Sequence, residues 1–238
     1  MGKPCLLFRG SPELSREYDK DNRVRDEKEY DDDVVVLWQA KAWADTETCV
    51  KWAEGPFAKF VKEELDGGET LVLADNLKSQ VKDDFVDAVK AKNGHMMFGP
   101  KLKGATHVWQ PVDHHIGREY GRLMGIYYDE WMAEQFDNIV DGHVSASDRR
   151  ILLTKWAGRA YRHLEQEREG CEKAVLEYPS AEPSRFFQAF VRTGCLVTVD
   201  GTQDEEIRPH GHIRGDLLAK FKGLIYPPLP PRQRRCKT

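Results

Sequence analysis

Leu71-Val-Leu-Ala-Asp75-Asn76 and Trp109-Gln-Pro-Val-Asp113 are the stretches on which the fold turns. In the first, four apolar residues close on Asp-Asn. That is the pattern of a buried parallel strand delivering a carboxylate at its C-terminal end, where open α/β sheets gather ligand and catalytic groups. In the second, the acid follows a proline and precedes a helical stretch, so rigid backbone fixes its position. Carboxylate oxygens are hard donors suited to Mg²⁺ or Mn²⁺. Two such ions roughly 3.5–4 Å apart activate a water and stabilise the leaving oxygen in phosphodiester cleavage. Asp75 and Asp113 are therefore the candidate catalytic and metal-binding residues, two-thirds of a set that ordinarily includes a third acid.

The surroundings of these acids carry a family likeness. Gly99-Pro-Lys-Leu-Lys-Gly-Ala-Thr-His-Val-Trp-Gln-Pro-Val-Asp113 follows Leu73-Ala-Asp75-Asn76 and a helical segment. It resembles the DDE superfamily endonuclease domain of pogo/Tigger/jerky-type transposases, which has a Pro-rich turn, a Thr and Gln-Pro-Leu/Val-Asp at this place. Upstream, Pro4-Cys-Leu-Leu-Phe-Arg-Gly10 resembles the family's second strand. Val34-Val-Val-Leu-Trp-Gln39 with Ala42-Trp-Ala-Asp45 resembles its third strand and the start of the next helix. Downstream, Phe186-Phe187 to Gly194 with Ile207-Arg-Pro209 resembles the tail beyond the catalytic region, so the likeness spans about Pro4 to Pro209.

The resemblance implies an α/β fold, a ribonuclease-H-like mixed sheet lacking its first strand and followed by a mainly helical C-terminal half. It implies a truncated DDE domain over 1–136, a helical extension over 137–223 and a Pro-rich basic tail over 224–238. It also implies Mg²⁺ or Mn²⁺ as cofactor and DNA as partner. The family's first catalytic Asp lies on a strand upstream of the segment that Pro4–Gly10 matches, and this chain starts after it. Where the family often has Asp-Asn followed by Ser-His, this chain has Ser79-Gln80, so Gln80 stands where a His would assist. The expectation is a fragment or relic of the nuclease. With the first strand gone, two buried edges need partners, and Leu6–Arg9 is expected to shift inward and pair with Leu71–Ala74, or the chain to be poorly soluble.

Composition bounds these readings. The 238 residues are 40% hydrophobic and 10% aromatic, ample for a packed core. No stretch of 18 apolar residues and no secretory leader pattern occurs, so the expectation is a soluble intracellular protein with no membrane association. The five cysteines, Cys5, Cys49, Cys171, Cys195 and Cys236, are scattered without a Cys-x-x-Cys pair, which argues against a disulfide framework or zinc site. Net charge is −4, and it is uneven: residues 1–100 hold 15 Lys/Arg against 21 Asp/Glu, and 101–238 hold 21 against 19. Attraction for a polyanion must come from local patches. Lys78, Lys82, Lys101 and Lys103 cluster around the two acids. Lys78, Lys101 and Lys103, with Trp109 as a base-stacking aromatic, are the candidate nucleic-acid contacts.

Along the chain, Gly10–Asp33 is polar and charge-dense and reads as a long mobile connection. Its neighbours Leu6–Arg9 and Val34–Trp38 are expected to pair as an antiparallel hairpin. Asp31, Asp32 and Asp33 read as a solvated strand cap. Asp45 or Thr46 caps a helix to about Leu65, with Val50, Trp52, Phe57, Phe60 and Val61 tracing a core stripe that Gly55-Pro56 bends or interrupts. Gly67-Gly68 turns into the Asp75 strand, a helix covers Asp83–Lys92, and His95–Phe98 is a short strand. Ile116 to Phe136 is helical in period, with Ile116, Tyr120, Leu123, Ile126 or Tyr127, and Trp131 on one face. Ser145-Ala-Ser-Asp148 caps another helix to roughly Gly170, and Arg185–Thr193 forms one that stops at Gly194.

Residues 224–238 pack prolines before Arg232, Arg234, Arg235 and Lys237, a polyproline segment with a basic end. It reads as a solvated tail, as a nuclear address, or, through Pro227-x-x-Pro230-x-Arg232, as an SH3-type ligand. His114-His115 and His210-x-His212 lack supporting ligands at metal spacing and read as ordinary imidazoles. Beside the nuclease lineage, with a homo-oligomer as one possible assembly, stands an alternative: an interaction scaffold using the helical half and the Pro-rich tail.

Overall fold

The computed structural model describes residues 2–10, 26–99, 110–140, 144–177, 181–196 and 202–207. The chain divides into two compact units, one of residues 1–98 with 119–182, the other of residues 99–118 with 183–238. The fold is mixed α/β with a helical C-terminal half.

In the first unit, β1 (Cys5–Arg9) pairs with β2 (Val35–Gln39), Leu7 opposite Leu37. The two strands run parallel, not as the antiparallel hairpin expected from sequence. The connection, residues 10–34, is far longer than a hairpin turn and long enough for the crossover that a parallel pair requires. Part of that connection is packed. Asp26 is fully buried, and Phe8 meets Tyr30 and Trp38 edge-on at 6.0 and 5.6 Å. Residues 11–25, on which the rest of the expected mobile connection falls, lie outside the described residues.

The second ladder is a βαβ unit: β3 (Thr70–Ala74) runs parallel to β4 (Gly94–Phe98), with Val72 opposite Met96. Among the described residues the four strands form two separate two-stranded sheets, and Leu6–Arg9 does not pair with Leu71–Ala74. Each outer strand keeps an unshared edge, and the expected mixed sheet is not formed among these residues.

Helices cover the β3–β4 sheet on one face. α1 (Thr46–Trp52), a π-helical segment (Ala53–Phe57) and α2 (Ala58–Glu64) form one continuous run. Pro56 does not break it, because a proline removes an i−4 bond and its ring crowds that carbonyl, and the wider π turn gives the ring room. The Ala58 amide reaches the Ala53 carbonyl, five residues back. Cys49, Ala53, Phe57 and Val61 thus form the buried stripe, a slightly different set from the expected one, packed on Phe85 and Val89 of α3 (Asp83–Lys90) and on Val72 and Met96. Each of the buried Phe and Val side chains in this cluster contributes roughly 1.5–3 kcal/mol.

α4 (Gly117–Val140) and α5 (Ala146–Glu177) form the helical half. Leu123 and Tyr127 of α4 are buried while Ile126 is 37% exposed, which settles the face left open in the sequence. On α5, Ile151, Ala157, Ala160 and Leu164 are buried. Ser145 and Asp148 cap it reciprocally: the Asp148 amide donates to Ser145 Oγ at 3.1 Å, and the Ser145 amide donates to Asp148 Oδ2 at 2.9 Å. The helix runs past Gly170 to Glu177.

In the second unit α6 (Arg185–Arg192) packs against a π-helical segment, Val112–Ile116. Ser184 caps its start. Gly194, with φ +78°, ends it: the Cys195 amide bonds Phe190 O at 2.9 Å and the Gly194 amide bonds Val191 O at 2.9 Å. This double closure needs a left-handed residue, which glycine adopts without a side-chain clash.

Candidate functional site

β3 places Asp75 at its C-terminal end, half-buried, just after the buried Ala74. Its Oδ1 accepts from the Asn76 amide at 2.6 Å, which turns the chain out of the strand. In the turn that follows, Gln80 Oε1 is buried with no hydrogen-bond partner. Ser79 hydrogen-bonds the Cys49 thiol of the core, whose pKa is nonetheless raised by burial. The turn is therefore anchored to α1. Lys78 and Lys82 are exposed on it, and Asp83 and Asp84 occupy the first turn of α3, where a helix N-terminus favours negative charge.

Asp113 stands in the second unit, exposed, on the first turn of the π-helical segment. Pro111 just before it is fully buried, so the backbone leading to the acid is fixed as the sequence implied, although the helix opens with a π turn. Asp75 and Asp113 belong to different units. Lys101, Lys103 and Trp109 lie outside the described residues, as do His210, His212, the Pro-rich tail and the side chains of His114 and His115. Among the described residues no group of three or more His, Cys, Asp and Glu side chains gathers as a metal cluster. No helix among them is long and apolar enough to cross a membrane.

A charged network that sequence reasoning did not find joins the strand region to α5. Asp31 is not a solvated cap residue: its oxygens meet Arg162 at 2.7 and 2.9 Å, and Arg162 also meets Asp33 at 2.8 Å. Burial pushes the Asp31 carboxyl up, and the Arg162 hydrogen bonds and charge outweigh that, so its pKa lies below the ordinary value. Asp26 pairs with Arg150 at 2.7 Å and accepts from the Ser147 hydroxyl. Arg150 in turn lies 5.6 Å from the centre of the Trp38 ring. Partners more than a hundred residues apart leave no local signal. The one clue on the strand side was an unusual density of Asp before Val34.

Compared with family models, with curated proteins and with solved structures, the chain matches none of them.

Proposed function

We propose that this chain is a DDE-type endonuclease domain of transposase descent that associates with nucleic acid and carries two of the family's three acids. The observation that carries the reading is the βαβ unit of Thr70–Phe98, in which a strand ends on Asp75 and Asn76 at the edge where α/β sheets hold their ligands. The order and spacing of the matching segments from Pro4 to Pro209 support it. So does the donor chemistry, because the Asp75 carboxylate and the unpartnered Gln80 Oε1 are hard oxygens of the kind Mg²⁺ and Mn²⁺ accept. Asp113 is the second proposed ligand. A bound ion supplies Lewis-acid polarisation of a phosphate oxygen and a nucleophilic water. The chain's own part is to hold that ion through its acids and to draw the polyanion through Lys78, with Lys101 and Lys103 as further cations and Trp109 as a stacking aromatic.

The test begins with Mn²⁺ binding to the wild-type chain and to Asp75→Asn. At least tenfold weaker binding by the variant is expected, and equal affinity removes Asp75 from the site. Cleavage of a plasmid is expected to stay near background, since two acids do not complete the set. Robust Mn²⁺-dependent nicking that disappears in Asp113→Asn would show an active nuclease in place of a relic.

A further inference from the structure

A cleft of about 350 Å³ opens within the first unit, bordered by the end of α4, the start of α5 and the turn that carries Glu29. Proteins seat small ligands in clefts of ~300–1,000 Å³. One wall is the indole of Trp131, held in place by its neighbours: its ring lies 5.7 Å from Trp156 and 6.4 Å from Tyr128. Ile151 and Leu152 supply an apolar side. Gln135 borders the same cleft at the point where α4 departs from helical geometry, with φ −115° and ψ 16°.

Two opposite charges complete the lining. Glu29 and Lys155 are both exposed, and among the described residues neither is engaged in an ion pair. Four other α5 cations differ: Arg150, Arg159, Arg162 and Arg168 are held by carboxylates. Asp148, also at the rim, is engaged as well, accepting from the Ser145 amide and hydroxyl at 2.9 and 2.7 Å. The groups available to a ligand are therefore one indole, one carboxylate and one ammonium.

That set is complementary to a guanine nucleotide. An indole face stacks on a base. A carboxylate only accepts, and guanine alone among the common bases offers two adjacent N–H donors on its Watson–Crick edge. An ammonium meets a phosphate as a point charge. Adenine presents an acceptor nitrogen on the same edge, which would face the carboxylate with repulsion. We propose that this cleft binds a guanine nucleotide, with Trp131 stacking on the base, Glu29 accepting from its edge donors and Lys155 meeting the phosphate. The same chemistry is offered by a free nucleotide and by an unstacked guanine in a single strand. The inference needs neither the Asp75 ion nor cleavage, so it stands apart from the nuclease reading.

Calorimetric titration of the full chain tests it, with GMP, AMP, guanosine and two short single-stranded oligonucleotides that differ by one central guanine. GMP is expected to bind at least tenfold more tightly than AMP. Glu29→Gln should erase that preference. Lys155→Ala should weaken GMP several-fold and leave guanosine unchanged. Trp131→Leu, which keeps an apolar wall, should weaken every guanine ligand about tenfold or more, with far-UV circular dichroism confirming the fold. A guanine oligonucleotide bound more tightly than GMP assigns the strand as the source, and the reverse assigns the free nucleotide. Equal affinity for GMP and AMP, a preference that survives Glu29→Gln, or no binding of any guanine ligand overturns the proposal.

Discussion

At Asp45 a single carboxylate ties the end of β2 to the start of α1. Its Oδ1 accepts from the Thr48 amide at 2.9 Å and the Thr48 hydroxyl at 2.7 Å, and its Oδ2 accepts from Gln39 Nε2 at 2.9 Å. These bonds, the Thr48 hydroxyl foremost, hold its carboxyl below the usual range. Asp45→Ala leaves the first turn of α1 without its acceptor and is expected to destabilise the fold by about 1 kcal/mol at pH 7. A depressed folded pKa means that this contribution is present above the unfolded value of about 3.9 and fades as pH falls through the folded one. Urea midpoints should therefore differ between variant and wild type at pH 7 and converge near pH 2.5, and parallel curves at both would contradict the assignment. The cap itself was legible, since its partner lies three residues away in the sequence. The bond from Gln39 was not, because it depends on how the strand end meets the helix.

At the scale of elements, α5 approaches the strand region only because position 158 is a glycine. A Cβ built there would stand 2.1 Å from Asp31 Oδ1, and that carboxylate cannot swing away while Arg162 holds both its oxygens. Gly158→Ala improves helix propensity by up to about 1 kcal/mol in an exposed helix, yet here it should destabilise by roughly 1–3 kcal/mol because the clash outweighs that gain. Chemical denaturation of the variant checks the sign, and a stabilised Gly158→Ala would show that the two elements do not meet this closely. Element ends were readable wherever the partners are near in sequence. The Ser145 and Asp148 capping pair and the Gly194 closure both appeared where expected. Strand direction was not readable, because alternation and apolar runs carry no sign. The length of the residue 10–34 connection was the physical clue to a parallel pair. Asp75 at a strand end was legible from Leu71–Ala74, whereas the Glu29, Trp131 and Lys155 cleft draws on three segments with no common pattern.

Across the first unit as a whole, paired charges tie the N-terminal strand region to the helical half. Lys3 reaches Asp32 O at 2.8 Å and Asp33 at 3.4 Å, Arg162 holds Asp31 and Asp33, and Arg150 holds the fully buried Asp26. Such a unit should be acid-sensitive in a defined window. Asp31 has its folded pKa below the unfolded one, so its pairing stabilises the protein above about pH 4 and the contribution is lost as pH drops through the folded value. Arg162 is about half-exposed, so solvent screening limits the pair to roughly 1 kcal/mol even with two hydrogen bonds. Asp31→Asn keeps the shape beside Gly158 and removes the charge. Wild type should be more stable than this variant by about that amount at pH 7, and the gap should close by pH 2.5, as read from urea midpoints. Added salt should narrow the gap at pH 7 as well, because the pair is partly open to solvent. A difference that persists unchanged into acid would mean that Asp31 acts through packing against α5 and not through its charge.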